Sequence, residues 1–392
     1  MDINLTQAQA EHLKAILTKI SHEIGEKGGW IPFSRYMELA LYQPSLGYYT
    51  SALEKFGRSG DFITAPEISP FFGQTIVNTI LPVLEGLRKQ RQQTRIIEIG
   101  AGTGQLAKTI LLDLHRRGFD LDEYHIIDVS PNLIGRQKAL LQDACQSHGI
   151  KTRCLWHSEV LPSFHGVILG NEVLDAIPCE RIVYQNHAWH YAGVGLGAEP
   201  DQFLISVPGE KLEVQPLIDC ASDGYTTEIH PQAEAWFTKV IDRLEQGLLL
   251  MIDYGFHQHE YYHPQRNTGT LMAHYRHQAL TNVLALPGIS DITCHINFSN
   301  LLHSIENKEN AQSFFSSQAS YLLDAGITDL VLQQSDPRDP QQMIAISNGI
   351  QKLISEAEMG ELFKVLAFGK RLEGLDLDLY ALPGFGGRNR VY

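Results

Sequence analysis

The stretch from Arg95 to Thr109, RIIEIGAGTGQLAKT, constrains the fold more than any other part of this chain. Ile96, Ile97 and Ile99 form a short β-branched run, as a parallel strand buried on both faces requires. The run breaks into Gly100-Ala101-Gly102-Thr103-Gly104. An apolar pattern at Leu106, Ile110, Leu111 and Leu114 then follows at helical spacing. Strand, glycine turn and helix open a nucleotide-binding α/β unit. Glycine lets the backbone approach a ligand where a Cβ would collide. The free N–H groups of the helix start then face the ligand's polar end.

The spacing narrows the ligand. A dinucleotide site shows G-x-G-x-x-G, because the pyrophosphate sits on the helix N-terminus. Here the spacing is G-x-G-x-G, with Glu98 two residues before the first glycine. That pattern resembles motif I of S-adenosylmethionine-dependent methyltransferases, whose ligand has no phosphate. A dehydrogenase fits the glycine spacing poorly. A turn that merely joins strand to helix is the plain alternative, and the flanking elements argue against it.

Composition excludes several other classes. At 392 residues the chain has room for one elaborated domain, or a core and a smaller lobe. Its net charge of −14 argues against sequence-independent nucleic-acid binding, which needs a basic surface. The five cysteines are scattered and none forms CxxC, which suits reduced thiols and no zinc framework. The seventeen histidines include no HExxH, so no metal site is expected. No apolar run approaches the ~18 residues of a membrane span. The start, MDINLTQAQAEHLK, has neither signal-peptide nor transit-peptide character, and a cytoplasmic protein is expected.

Thr6 and Gln9 predict a capping box, and Leu13 to Ile24 an amphipathic helix. Ser34 is expected to cap a second helix that Pro44 stops. Residues 43–73 are rich in glycine, proline and aromatics, and read as a binding loop or lid rather than disorder. A helix is expected over 73–89. Strands are expected at 95–99, 124–128, 152–156, 166–170, 248–253 and 363–368, and Ser130 with Pro131 is expected to start a helix. Short antiparallel strands are expected at 182–184, 189–191 and 203–205. Helices are expected at 231–246, 299–305, 317–324 and 341–357, and a loose tail at 382–387. The fold class is therefore α/β: a mostly parallel, Rossmann-like sheet with both faces covered. The domain reading is an N-terminal helical lobe over 1–90, a core over 91–179 and 225–370, a β-insertion over 180–224, and a tail over 371–392.

In such sheets ligands bind beyond the carboxyl ends of the strands, at the topological switch point. That rule gathers Glu98, Gly100, Gly102 and Gly104 after the first strand. Asp128 ends the second strand, placed to accept from ribose hydroxyls. Asn171 and Glu172 end the fourth, and Asp253 and Tyr254 the fifth. Thr64, Pro66 and Glu67, in the aromatic loop, are expected to close over the cofactor. Glu172 and Asp175 form a second constellation. Paired carboxylates suit a planar guanidinium, and one of them could take the proton released on methylation. Acids at a helix start also stabilise the macrodipole, which is the structural alternative. Asp253 could hold a substrate amine or close the sheet edge. Glu228 precedes a helix and could cap it. The histidines of 257–263 suggest exposed loop residues.

These motifs occur together in one known family. GYYT (47–50), GDFITAPEISPFFG (60–73), EIGAGTG (98–104), NEVLDAIP (171–178), DYGF (253–256), GTLMAHYRH (269–277) and DITCHINF (291–298) appear in a fixed order. The chain resembles the mitochondrial complex I assembly-factor methyltransferases and their bacterial relatives, over residues 30–370. The resemblance implies a class I methyltransferase fold with S-adenosyl-L-methionine as cofactor. For the mitochondrial branch it implies symmetric dimethylation of an arginine in a complex I core subunit. Members often have Glu where this chain has Asp128. The partners it implies are a protein substrate, by resemblance a complex I subunit, with a homodimer left open; nucleic acid is not among them. A non-catalytic assembly chaperone that keeps the cofactor site is the alternative function.

Overall fold

In a computed structural model, seven strands form the continuous path of one eight-stranded sheet. The structure describes residues 5–51, 64–159, 162–198, 202–207, 211–213, 218, 222–276, 278–336, 338–387 and 389–390. The strands are β1 (Arg95–Ile99), β2 (Glu123–Ile127), β3 (Arg153–His157), β4 (Phe164–Asn171), β5 (Leu244–Phe256), β6 (Ala311–Ser317) and β7 (Phe363–Lys370). Their order is β6-β7-β5-β4-β1-β2-β3. β1 to β5 pair in parallel, and β7 runs antiparallel to both of its neighbours. The mostly parallel sheet is as the sequence predicts. The chain leaves β1 towards β2 and β3 and returns to β4 on the other side of β1. The carboxyl ends of β1 and β4 therefore flank the point where the winding reverses.

Four helices cover one face near that point: α1 (Ala65–Ile68), α2 (Pro70–Lys89), α3 (Gln105–Arg116) and α4 (Pro131–His148). Ile76, Ile80 and Leu84 of α2 share a core with Ile110 and Leu114 of α3 and with Ile96, Tyr124 and Val167 of the sheet. Burial of each such side chain contributes roughly 1.5–3 kcal/mol, which holds the glycine turn between β1 and α3 in place.

Contacts divide the chain into two compact units. The sheet unit comprises Ile63–Val173, Phe237–Gly255 and Phe298–Tyr392. The other comprises Met1–Phe62, Leu174–Trp236 and Phe256–Asn297. In that second unit the helix Gln7–Glu26 starts with the expected Thr6/Gln9 capping box. Its Ile16, Ile20 and Ile24 share a core with Phe33 and Tyr36 of the helix Phe33–Tyr42 and with Val194 and Phe203. Trp30–Ile31 pairs with Gly193–Leu196, which pairs with Phe203–Ser206. The hairpin Glu180–Gln185/Ala188–Tyr191 turns on Asn186 (φ 51°) and His187 (φ 60°), the positive-φ pair that matches strand twist. Thr226–Ile229 adds a strand on its far side. The N-terminal segment shares one core with the strands Gly193–Leu196 and Phe203–Ser206, the hairpin packs a separate one around Ile182, Trp189 and Tyr225, and the dividing line between the units falls at 173/174.

Several local expectations change. The second helix begins at Phe33 without a side-chain cap, and Ser34 instead donates its hydroxyl to Glu180. α2 begins three residues early, at Pro70, because Ser69 accepts from Phe71 N–H. The helix from Pro231 ends at Arg243, and β5 takes over at Leu244. An additional helix spans Ile327–Gln334. Over 382–387 the chain is tied down: Leu382 and Phe385 are buried, and Asp324 accepts from Gly384 and Gly386 N–H at 3.0 and 2.9 Å. Asp61 and the rest of 52–63 lie outside the described residues. No helix among the described residues is long and apolar enough to cross a membrane.

Candidate active site

The turn after β1 is built from left-handed residues. Gly100, Gly102 and Gly104 have φ of 65°, 52° and 87°, a region that L side chains rarely adopt. Gly104 is the N-cap residue of α3. A Cβ on Gly102 would meet nothing within 4 Å, so it would project into open space beside the turn. That is the space a ligand lying against the backbone needs, and a side chain would fill it.

Glu98 stands on β1 just before the turn, buried, and accepts from the Tyr124 hydroxyl at 2.7 Å. Burial pushes its carboxyl up to about 7, with the Tyr124 hydrogen bond opposing the shift. Asp128 follows β2. Its Oδ1 accepts from Ser130 N–H at 2.9 Å and its Oδ2 from Gln137 Nε2 at 2.7 Å. Burial raises its carboxyl too. The carboxylate, which also meets the Val129 N–H, keeps acceptor capacity for a ribose hydroxyl.

Gln137 is a connection the sequence did not reveal. It is fully buried on α4, and its Nε2 also donates to the Gly102 carbonyl at 2.9 Å, while its Oε1 accepts from Trp156 Nε1 at 3.0 Å. One amide thereby fixes the glycine turn relative to Asp128. The available signal was a glutamine at helical spacing from the apolar Leu133, Leu141 and Ala144.

Of the expected loop residues, Thr64 is the N-cap residue of α1, Pro66 lies in its first turn, and Glu67 accepts from Thr103 Oγ1 at 3.0 Å. This bond brings Glu67 to the glycine turn. Asn171 ends β4, and its Nδ2 donates to Glu172 Oε1 at 3.0 Å. Glu172 follows with φ 55°, a left-handed conformation in a residue other than glycine. Val173 comes next and packs towards Gly100, whose added Cβ would lie 3.1 Å from Val173 Cγ2. The residues after β1 and β4 are thus brought together as the switch-point rule requires.

Asp175 belongs to the other unit and is buried. Its carbonyl accepts from Cys294 N–H at 3.1 Å, and the next carbonyl, of Ala176, accepts from the Tyr42 hydroxyl at 3.0 Å. Tyr42 stacks on Tyr49 at 5.4 Å, and the Tyr49 hydroxyl donates to Asp291 at 2.9 and 3.0 Å. Burial, then the charge of Asp291, hold the Tyr49 hydroxyl protonated, with Asp175 adding to the field. Tyr42, Tyr49, Asp291 and Cys294 were not read as neighbours of Asp175, since only tertiary contact joins them.

Glu228 is not a helix cap. It lies fully buried on the strand Thr226–Ile229 and accepts from Thr270 N–H and Oγ1 at 2.8 and 2.9 Å and from Tyr261 Oη at 3.3 Å. Of the loop histidines, His259 is exposed, whereas His257 and His263 are half-buried beside buried Tyr261 and Tyr262.

Residues 75–316 match a family model described as "Putative S-adenosyl-L-methionine-dependent methyltransferase". A Burkholderia thailandensis protein, crystallised with S-adenosylhomocysteine bound, is 41% identical, with a TM-score of 0.87 over 97% of each chain. The mitochondrial protein arginine methyltransferase NDUFAF7 homologue of Drosophila melanogaster is 28% identical, over 91% of this chain and 85% of its own. Its counterpart in Caenorhabditis elegans is 26% identical, over 88% and 84%. The glycine turn, the acids at the ends of β1 and β2 and these matches agree: the chain belongs to this family of S-adenosyl-L-methionine-dependent methyltransferases.

Proposed function

We propose that this enzyme methylates the guanidinium of an arginine side chain in a protein acceptor. The observation that carries the reading is the stretch Asn171–Pro178, which leaves β4 at the switch point with two acids, Glu172 and Asp175. The relatives' name, protein arginine methyltransferase, supports it. Glu98, the glycine turn, Asp128, Asn171, Thr64, Pro66 and Glu67 are assigned to S-adenosyl-L-methionine, which supplies an electrophilic methyl group on a sulfonium. Glu172 and Asp175 are assigned to the acceptor. A guanidinium presents a planar fork of N–H donors that carboxylates accept in pairs, and alkylation of its nitrogen releases a proton that a carboxylate can take. The Asp175 backbone is already held by Cys294, so less ordering is needed when the acceptor arrives.

Mass spectrometry of the proteome with and without the gene tests the reading. A methyl-arginine peptide present only with the gene is expected, and a respiratory complex I core subunit is the first protein to inspect. Loss of a methylated residue other than arginine, with arginine methylation unchanged, would refute the acceptor assignment.

A further inference from the structure

We propose that Asp253 is a positioning residue for methyl transfer: its carboxylate clasps the chain beyond β4 and holds Glu172 in its left-handed conformation. The inference rests on the assignment of Glu172 to the acceptor site. β4 and β5 pair in register up to Asn171 and Ile252, and Glu172 N–H extends the ladder with a bond to the Ile252 carbonyl at 2.9 Å. There the backbone turns out of the sheet, with Glu172 at φ 55°. The next N–H, of Val173, donates to Asp253 Oδ2 at 3.0 Å, and the other oxygen of Asp253 accepts from Tyr254 N–H at 2.9 Å. Asp253 is buried, so both bonds are made out of water, where charge-assisted bonds are strong.

The choice of residue at 172 is the second part of the argument. A left-handed position favours glycine or asparagine, and a glutamate there is disfavoured by its Cβ. Such a conformation persists where the surroundings over-determine it, and it points to a side chain needed at that place. Here the surroundings are identifiable. Asp253 fixes the following amide, and Val173 is lodged against Gly100 and Gly170, whose added Cβ atoms would lie 3.1 and 3.6 Å from Val173 Cγ2. Asn171 Nδ2 grips the Glu172 carboxylate from the strand. Asp253 thus acts on the reaction through Glu172, neither as a ligand for a substrate amine nor as a plain sheet-edge acid.

The test is a pair of cycles on the full chain. Asp253→Asn keeps the volume but leaves one oxygen for two N–H groups. Turnover is followed as tritium passed from labelled S-adenosylmethionine to the proteins of a lysate from cells lacking the gene. Asp253→Asn is expected to lower turnover about tenfold, with the KM for S-adenosylmethionine within twofold. In a Glu172→Gln background the same change should cost less than twofold. The second cycle needs no acceptor. Asp253→Asn should lower Tm by several degrees, and Glu172→Gly, which removes the Cβ conflict, should restore at least half of that loss. An equal turnover loss in both backgrounds, or a Tm loss unchanged by Glu172→Gly, overturns the proposal. Tritium recovered on a residue other than arginine would refute the acceptor assignment, while the cycles still decide the role of Asp253.

Discussion

A carboxyl group buried in a sheet keeps its proton longer than one in water, and Glu98 shows the consequence. Burial raises it from an ordinary 4.5 to about 7. Between those values the folded chain holds a proton that the unfolded chain releases. Stability from this residue therefore falls as pH rises from 4.5 to about 7, then levels off. Glu98→Gln stays neutral throughout, so the Tm of the wild type should drop relative to this variant across that window. Parallel pH curves would show that Glu98 does not titrate there. Asp175 makes a different prediction. Loss of one charge-assisted hydrogen bond costs about 1.5–3 kcal/mol, and each ~1.36 kcal/mol is tenfold in rate. Asp175→Asn should therefore bind S-adenosylhomocysteine nearly as wild type and transfer methyl roughly ten- to hundredfold more slowly. A lowered Tm with unchanged turnover per folded molecule would remove Asp175 from the site. The positions of the glycines, Glu98 and Asp128 at strand ends were legible because strand ends and spacing are local properties. Gln137, Tyr49, Asp291 and the bond between Asp253 and Val173 were not, because the partners lie 35, 80 or 242 residues away.

Elements were read most accurately where periodicity and punctuation agreed, as in β1, α3 and the capped helix Gln7–Glu26. They were misread where composition stood in for packing. Glycine and proline made 382–387 look loose, yet Phe385 packs on Phe314 and Tyr321 at ring separations of 5.1 and 5.8 Å. The tail closes the core near Tyr321, whose hydroxyl lies 2.8 Å from Thr79 Oγ1 on α2. Phe385→Ala should accordingly cost about 3–5 kcal/mol in urea denaturation. A loss below about 1 kcal/mol would return the segment to a loosely attached end. The extent of the inserted strands was illegible for a related reason. The strand Trp30–Ile31 has only two residues and no pattern of its own, and its pairing with Gly193–Leu196 joins two distant parts of the sequence.

For the molecule as a whole, family membership fixes the cofactor and so a stability signature. A ligand that binds only the folded chain stabilises it by about 2.7 kcal/mol at a hundred times its Kd. S-adenosylhomocysteine should raise Tm accordingly, and NAD should not. Gly102→Val should abolish the shift, because its side chain would fill the open space beside the turn. A shift with NAD alone would contradict the glycine-spacing argument.

The second unit draws its residues from three stretches, the first ending at Phe62 and the last at Asn297. During synthesis, Ile16, Tyr36 and Phe33 leave the ribosome long before the strands that bury them exist. At about 5–20 residues per second the wait is on the order of ten to fifty seconds. For that interval the nascent N-terminal helices present apolar stripes to the cell, and their shelter must come from chaperones or from each other.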